Sequence, residues 1–214
     1  MSPLESNKIQ VFELMAFPPI SFFAYLLQMG PWAIERHENY NKRSYRNRYD
    51  IMDANGRLPM VIPLKKGKNN HLPITEVRIA KETDWPARHR QAIKSAYGRA
   101  PFYEDYADAI VALFFQVEDT LFEFNTHVLK VLLNLLGMND EIRYTPGFIR
   151  ASGGIYHDKK GSISPLNPRA QGFPHYQQVF SDRLPFLPDL SILDLLFNKG
   201  PEARLYLSNI NLKG

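Results

Sequence analysis

The first part of the chain alternates short apolar runs with turn residues, which is the pattern of strands separated by tight connections. Residues 9–15 alternate loosely and predict a first strand. Residues 22–29 predict a short helix after Ser21, a residue type that caps helices, and residues 32–37 predict a second strand. A strand, a helix and a strand within about 30 residues have the size of a βαβ unit. The pattern therefore favours two parallel strands joined by the helix.

An uncharged stretch over residues 14–34 approaches the length of a membrane span, which needs roughly 20 apolar residues. Pro18-Pro19 interrupts its middle, and Gly30-Pro31 ends it with a turn. We therefore interpret the stretch as buried strand, loop and helix, with no membrane insertion. The first residues also lack the basic and apolar regions of a signal peptide, so we expect a cytoplasmic protein.

A β-hairpin is predicted next along the chain. Residues 45–52 and 58–63 are strand-like, and Asn55-Gly56 lies between them. Asn-Gly between two apolar runs is a strong hairpin signal, because both residue types accept the positive φ that tight turns require. Residues 74–79 then predict one more strand, since apolar and polar side chains alternate there.

The rest of the chain is helical in pattern and then irregular. Apolar residues at helical spacing predict three helices, which begin near Asp84, Pro101 and Asp119. Residues 146–188 are rich in Gly, Pro, Ser and Asn and lack periodicity. Such a stretch is unusual within a domain and predicts a loop that closes over the site, with a permanently docked arm as the alternative.

These elements together predict an α/β protein. An N-terminal mixed sheet opens with a β-α-β unit and is followed by a largely helical C-terminal half. We expect one domain over residues 1–214, with a strand-rich part at about 9–80, a helical part at 83–137, a long irregular segment at 146–188 and C-terminal helices at 190–208.

The composition narrows the classes of protein and of site. The chain has 214 residues, 44% hydrophobic and 22% charged, which excludes collagen, coiled coil and wholesale disorder. The absence of cysteine excludes disulfides, Cys-based zinc sites and cysteine nucleophiles. The net charge of +4 slightly favours anionic partners. The six histidines are scattered without metal-ligand spacing, so neither a metal nor another cofactor is predicted.

A basic, tyrosine-rich segment over residues 40–49 is the strongest candidate for a ligand site. On a strand, Arg46 and Arg48 point to one face and could hold a phosphate bidentately, with Lys42 adding a third positive charge. The alternative is a solvated strand whose cations pair with acidic side chains. A second basic run, Lys65-Lys66-Gly67-Lys68, matches no phosphate-loop motif and is interpreted as a hairpin loop.

Two residues are candidates for proton transfer. His37 follows the second predicted strand, and ligand sites in open α/β sheets lie at the carboxyl ends of strands. Asp194 lies on the last predicted helix in a polar stripe with Ser191 and Asn198. A structural histidine and an exposed polar helix face are the respective alternatives.

Several motifs, taken in their order along the chain, resemble the WbqC-like family. They are His37-Glu38-Asn39-Tyr40, Ser44-Tyr45-Arg46-Asn47-Arg48, Asn55-Gly56, Val61-Ile62-Pro63, Lys65-Lys66-Gly67, Ala96-Tyr97, Ala100-Pro101-Phe102 and Leu190-Ser191-Ile192-Leu193-Asp194-Leu195-Leu196-Phe197-Asn198. The resemblance implies an association with surface-polysaccharide (O-antigen) gene clusters and a transferase role on nucleotide-linked sugars. It also implies a site at the polar motif positions: Lys42, Arg46, Asn47, Arg48, Asp194 and Asn198. Many relatives carry a Gln-Pro after the first strand, where this chain has Met15-Ala16-Phe17-Pro18-Pro19.

The resulting hypothesis is a biosynthetic group transfer on a nucleotide-activated sugar or glycan precursor. Arg46, Arg48 and Lys42 would hold the diphosphate, and His37 or Asp194 would accept a proton from the acceptor. A non-catalytic anion- or nucleotide-binding partner of polysaccharide biosynthesis is the alternative. Nucleic-acid binding through the tyrosine- and arginine-rich segment is less favoured, because the net charge is mild and no RNA- or DNA-binding motif is present.

Overall fold

The computed structural model describes residues 8–67, 69–138, 141–150 and 154–212. Its strands are β1 (Ile9–Phe12), β2 (Trp32–Ile34), β3 (Arg48–Asp53), β4 (Gly56–Val61) and β5 (Tyr156–Asp158). Its α-helices are α1 (Ile20–Gln28), α2 (Trp85–Tyr97), α3 (Tyr103–Ala112), α4 (Leu121–Leu135), α5 (Ile192–Lys199) and α6 (Ala203–Ser208). Strands dominate the N-terminal part and helices follow, so the predicted α/β class is confirmed.

A parallel sheet with the strand order β2-β1-β5 forms the centre of the N-terminal part. Strand β1 pairs with β2 on one side and with β5 on the other, both in parallel. The predicted βαβ unit, β1-α1-β2, is therefore confirmed. Strand β5 lies within the segment interpreted as irregular, and its three residues are all half-buried, so they give no alternating signal.

The predicted hairpin is also confirmed. Strands β3 and β4 pair antiparallel, with Asp53 opposite Gly56, whose φ of +116° suits a glycine. Strand β3 begins at Arg48, however, and not at residue 45 as predicted. The preceding residues form a turn that is fixed by other contacts, among them the Ala16 amide, which donates to the Tyr45 carbonyl at 2.8 Å.

The strand predicted over residues 74–79 is wrong. Ile74–Glu76 forms a short 3-10 helix, in which the Glu76 amide donates to the Pro73 carbonyl at 2.9 Å. Ile79 then makes an isolated bridge with Leu64, and its amide bonds the Asp119 carbonyl. The alternation of apolar and polar residues arises because Ile74, Val77 and Ile79 pack inward while Glu76 and Arg78 stay exposed, although the segment joins no sheet.

The core connects the sheet to the helical part through aromatic side chains. Phe17, in the loop between β1 and α1, is fully buried and packs against Tyr49, Phe114 and Phe124. The Asp84 side chain caps α2 by accepting from the Ala87 amide, as predicted. Among the described residues, no helix combines the length and apolarity needed to cross a bilayer.

The described part of segment 146–188 packs against the rest of the protein. Phe173 and Phe180 are buried, and the Pro174 carbonyl accepts from the Tyr206 hydroxyl at 2.6 Å. The Tyr176 hydroxyl donates to Asp194 on α5 at 2.5 Å. These contacts are those of a docked arm, and they do not fit the predicted mobile loop.

We expect His89 to make the fold acid-sensitive. Its buried ring bonds the Tyr49 hydroxyl at 2.8 Å and the Val61 carbonyl at 3.2 Å, and burial lowers its pKa from 6.5 to about 4. Between these values the unfolded chain binds more protons than the folded one, so the free energy of unfolding falls as the pH drops through this window. The loss reaches about 3 kcal/mol at pH 4.

Urea denaturation at several pH values tests this expectation. His89→Gln should flatten the acid slope relative to the unsubstituted protein, whereas His71→Gln, at an exposed position, should not. Glu38, Asp189 and Asp194 have raised pKa values and contribute a slope of the opposite sign, so the comparison between variants is the informative quantity. Equal slopes for all three proteins would contradict the assignment.

Candidate active site at the carboxyl edge of the parallel sheet

Charged residues follow all three strands of the parallel sheet, where the carboxyl ends meet. Glu13 follows β1, Glu35 follows β2, and Lys160 lies just after β5, next to Gly161. Strand β2 is added on one side of β1 and β5 on the other, so the order of the strands changes direction between β1 and β5. Open α/β sheets bind ligands at such a switch point, outside the carboxyl ends of the strands. We call this region the carboxyl edge.

Glu13 marks the switch point, because its carboxylate connects the end of β1 to the residues that follow β5. Both of its oxygens accept from the Gly161 amide, at 3.1 and 3.0 Å, and Oε1 lies 3.8 Å from Arg46 Nη1. Gly161 has a φ of +76°, so a residue with a side chain would be strained there. Burial raises the pKa of Glu13 above its ordinary value, and the charge of Arg46 only partly opposes this.

Arg46 joins Glu13 to a second buried glutamate, Glu38. Its guanidinium donates from Nε to Oε1 at 2.9 Å and from Nη2 to Oε2 at 2.5 Å, which is the bidentate geometry of a strong ion pair. Even so, burial raises the pKa of Glu38 to about 6. The two glutamates therefore compete for one guanidinium, and both hold protons more readily than exposed glutamates do.

The turn before β3 explains why Arg46 points inward. Its backbone carbonyl accepts a hydrogen bond from the side-chain amide of Asn125 on α4 at 2.7 Å. The Ser44 hydroxyl donates to the Asn41 carbonyl at 2.7 Å. Arg46 is thus held in a turn, while Arg48 opens β3 and donates to Asp50 at 3.2 Å. The predicted fork of Arg46 and Arg48 on one strand face is therefore wrong, because the two residues do not share a strand.

Lys160 and Glu35 form the other end of the carboxyl edge. Glu35 is fully buried and accepts from the His37 amide, the Thr145 hydroxyl and the Ile149 amide at 2.7–2.9 Å. Lys160 Nζ lies 3.6 Å from Glu35 and donates to the Ile149 carbonyl at 2.7 Å. This network connects the ends of β2 and β5 across the sheet.

Acids outnumber cations at the carboxyl edge. The acids are Glu13, Glu35, Glu38 and Asp158, and the cations are Arg46 and Lys160; Asp158 Oδ1 lies 3.0 Å from Lys160 Nζ. The cations are therefore neutralised, and the arrangement is suited to accepting protons rather than to holding a diphosphate. Within the described ranges, no three His, Asp or Glu side chains converge closely enough to hold a metal ion.

The structure brings His37 to this edge but leaves Asp194 elsewhere. His37 is exposed, and its Nε2 lies 3.1 Å from the Thr145 carbonyl. Asp194 is fully buried and accepts from Tyr176 and Gln178, and burial raises its pKa to about 6. Asn198 donates to the Asp194 carbonyl within the same helix at 2.7 Å. The alternative of an exposed polar helix face is therefore wrong, and the predicted meeting of Asp194 with His37 in one site does not occur either.

The remaining predicted site residues are dispersed. Lys42 is exposed in the loop before the turn, and Asn47 bonds the Tyr40 hydroxyl and the Ile62 carbonyl. The larger cavities also lie away from the carboxyl edge. One of about 670 Å³ borders residues 63–66 and 80–83, and a smaller one of about 350 Å³ borders Gly30-Pro31, at the opposite end of β2.

Sequence reasoning missed Glu13, Glu35 and Lys160. Glu13 and Glu35 fell inside strands that were predicted too long, and β5 was not predicted at all. A usable signal exists, because each of the two glutamates directly follows a run of apolar residues that ends a short strand. A single charge after such a run marks the strand end.

Comparison with known proteins places the chain in a family. The profile of the WbqC-like protein family matches residues 15–154. The chain belongs to the WbqC-like protein family. The matched residues contain Glu35, Glu38 and Arg46, but they begin after Glu13 and end before Lys160.

A relative is also known among the curated proteins. "Uncharacterized protein Rv1507c" of Mycobacterium tuberculosis (strain ATCC 25618 / H37Rv) is 24% identical over 229 aligned residues, which cover 94% of this chain and 97% of the relative. No solved structure matches the chain significantly.

We expect Arg46→Ala to destabilise the protein strongly. The change leaves Glu38 and Glu13 buried without their guanidinium, and breaking a buried pair in this way costs about 3–5 kcal/mol. The free energy of unfolding from urea denaturation measures the loss. Arg183→Ala is the matched control, because Arg183 pairs with Asp182 at the surface, where about 1 kcal/mol or less is expected. Equal losses for the two variants would show that Arg46 is not a buried tie.

Proposed function

We propose that the protein is a biosynthetic enzyme of surface polysaccharide that transfers a group in the assembly of a nucleotide-activated sugar or glycan precursor. The family membership supports the biological setting, through the gene clusters in which relatives occur. One observation carries the catalytic part. Two buried glutamates with raised pKa values share one guanidinium at the switch point of a parallel sheet.

The proposed chemistry assigns the proton transfer to Glu13. A hydroxyl or amino group of the acceptor attacks the activated group of the donor, and the bond to the leaving group breaks as the new bond forms. The acceptor proton passes to Glu13, whose contact with Arg46 is longer than that of Glu38 and leaves it the freer base. Glu38 holds Arg46 in place, and Arg46 in turn positions the Glu13 carboxylate.

His37 is the second candidate for the base. It is exposed at the same edge, and its amide bonds Glu35 at 2.9 Å, so its position is fixed by the acid network. Asp194 is not retained in this role, because it lies away from the carboxyl edge and its side chain is held by Tyr176 and Gln178 of the docked arm.

A non-catalytic binding protein is the alternative, and the Arg46–Glu38 geometry favours it in one respect. A bidentate, buried pair is also what a purely structural tie looks like. In that case the carboxyl edge would stabilise the fold, and any ligand would bind without turnover.

Substitution of Glu13 separates the two functions. A thermal-shift screen of nucleotide sugars, nucleotides and acyl or aminoacyl donors first identifies the compounds that bind. Turnover assays with those compounds then identify a donor and an acceptor that react. We expect Glu13→Gln to lower kcat by about 100-fold or more, the usual contribution of a general base, with binding changed only a few-fold. Glu104→Gln, at an exposed position on α3, is the control and should leave both unchanged.

Three outcomes of this experiment are informative. A loss of turnover with binding retained in Glu13→Gln supports catalysis at the carboxyl edge. Unchanged turnover in Glu13→Gln and loss in His37→Gln would transfer the role to His37. Ligand binding by the unsubstituted protein without turnover of any donor would contradict the enzyme hypothesis and support the binding protein.

A further inference from the structure

Two arginines share one carboxylate on the face of the hairpin that the docked arm partly covers. Asp50 on β3 is almost fully buried, and Arg48 from the same strand and Arg57 from β4 both donate to it. Arg48 bonds Oδ1 from Nε and Nη2 at 3.2 Å, and Arg57 bonds Oδ2 from Nη1 at 3.3 Å. The hairpin register explains why both arginines reach Asp50. Arg48, Asp50 and Met52 occupy every second position of β3 and so share one face, and Arg57 lies opposite Met52 on that face.

Both guanidiniums retain unused donors, and both side chains are partly exposed. The Arg48 and Arg57 side chains are 33% and 25% exposed, against 2% for Asp50. The Nη1 group of Arg48 and the Nε group of Arg57 bond no acceptor among the described residues, while Arg57 Nη2 donates to the Pro188 carbonyl at 2.7 Å. The buried carboxylate thus orients two planar forks without satisfying them.

The local charge is positive within this group of three. One carboxylate faces two guanidiniums, so one positive charge has no direct partner. Two further acids, Asp189 and Asp194, lie near enough to Arg57 to feel its charge, so they offset part of this excess. Neutral donors hold both of them, namely Ser21 for Asp189 and Tyr176 and Gln178 for Asp194. Neither of them forms an ion pair with an arginine of the described chain.

An apolar ledge lies beside the two arginines. Val61 stands opposite Arg48 in the hairpin, and Pro59 stands opposite Asp50. Val61 is 51% exposed and Pro59 is also exposed, on the outer strand of the hairpin. The face therefore combines an anion-binding pair with an apolar surface that a planar or aliphatic group could cover.

We infer that Arg48 and Arg57 form a binding site for a phosphate group, and that the rest of the phosphorylated ligand lies over Val61 and Pro59. The site does not require the chemistry proposed for the carboxyl edge, since it would hold a phosphate whether or not a group is transferred. It retains Arg48 as a site residue and gives it a different partner, Arg57, which the sequence pattern did not indicate.

Calorimetric titration of the full-length protein with pyrophosphate and with uridine 5′-diphosphate tests the site. We expect both probes to bind at millimolar concentration or below, and more weakly as salt is raised. Arg48→Gln and Arg57→Gln should each weaken pyrophosphate binding about tenfold to a hundredfold, as loss of charge-assisted hydrogen bonds predicts. Arg183→Gln, which removes a surface arginine of the same type, should leave the affinity unchanged.

Lysine variants keep the test decisive if the glutamine variants do not fold. Arg48→Lys and Arg57→Lys preserve the charge and a contact with Asp50 but lose the planar fork, so they should fold and still bind pyrophosphate several-fold more weakly. Pyrophosphate affinity equal to that of the unsubstituted protein in the folded Arg57 variants would overturn the inference. Absence of binding of either probe to the unsubstituted protein would overturn it as well.

The apolar ledge has its own control. Val61→Ser should weaken uridine 5′-diphosphate while leaving pyrophosphate unchanged, because only the nucleoside can cover the ledge. Equal affinities of the unsubstituted protein for the two probes would overturn this part of the inference and limit the site to the phosphate group.

Discussion

The burial of the Arg46 guanidinium is the interaction on which the carboxyl edge depends. A buried positive charge is tolerated only if it is paired and hydrogen-bonded, and Arg46 meets this requirement with two glutamates from different parts of the chain. Glu13 comes from the end of β1, and Glu38 comes from the loop after β2. Asn125 fixes the Arg46 backbone to α4, so one residue ties the sheet, the loop and the helical part together.

The docked arm completes this arrangement from the other side of the switch point. Gly161 gives its amide to Glu13, and Lys160 offsets the charge of Glu35, so β5 and the residues after it close the edge. Burial is what keeps the pKa values of Glu13 and Glu38 high, and the nearby cations only partly offset it. Structural cohesion and proton-accepting capacity therefore have the same origin, namely carboxylates that are buried with too few cations.

Local patterns predicted the elements better than the contacts between them. Periodicity and the Asn55-Gly56 pair were sufficient for the βαβ unit, the hairpin and the helices, because these depend on neighbouring residues. Arg46 was singled out as a ligand-binding candidate, but its partners lie elsewhere in the sequence, and a strand end misplaced by three residues put it on the wrong face. Strand β5 and the burial of Asp194 depend on how the arm docks, which no local pattern records.

The titration of the glutamate side chains tests the central claim most directly. Carboxyl carbons of ¹³C-labelled glutamate can be followed by NMR across the acidic range in the folded protein, with Glu13→Gln and Glu38→Gln used to assign the two signals. The account predicts that both glutamates titrate above the ordinary value of 4.5, with Glu38 at about 6. If both signals titrate at or below the ordinary glutamate value, the carboxyl edge is a solvated set of ion pairs and the account is contradicted.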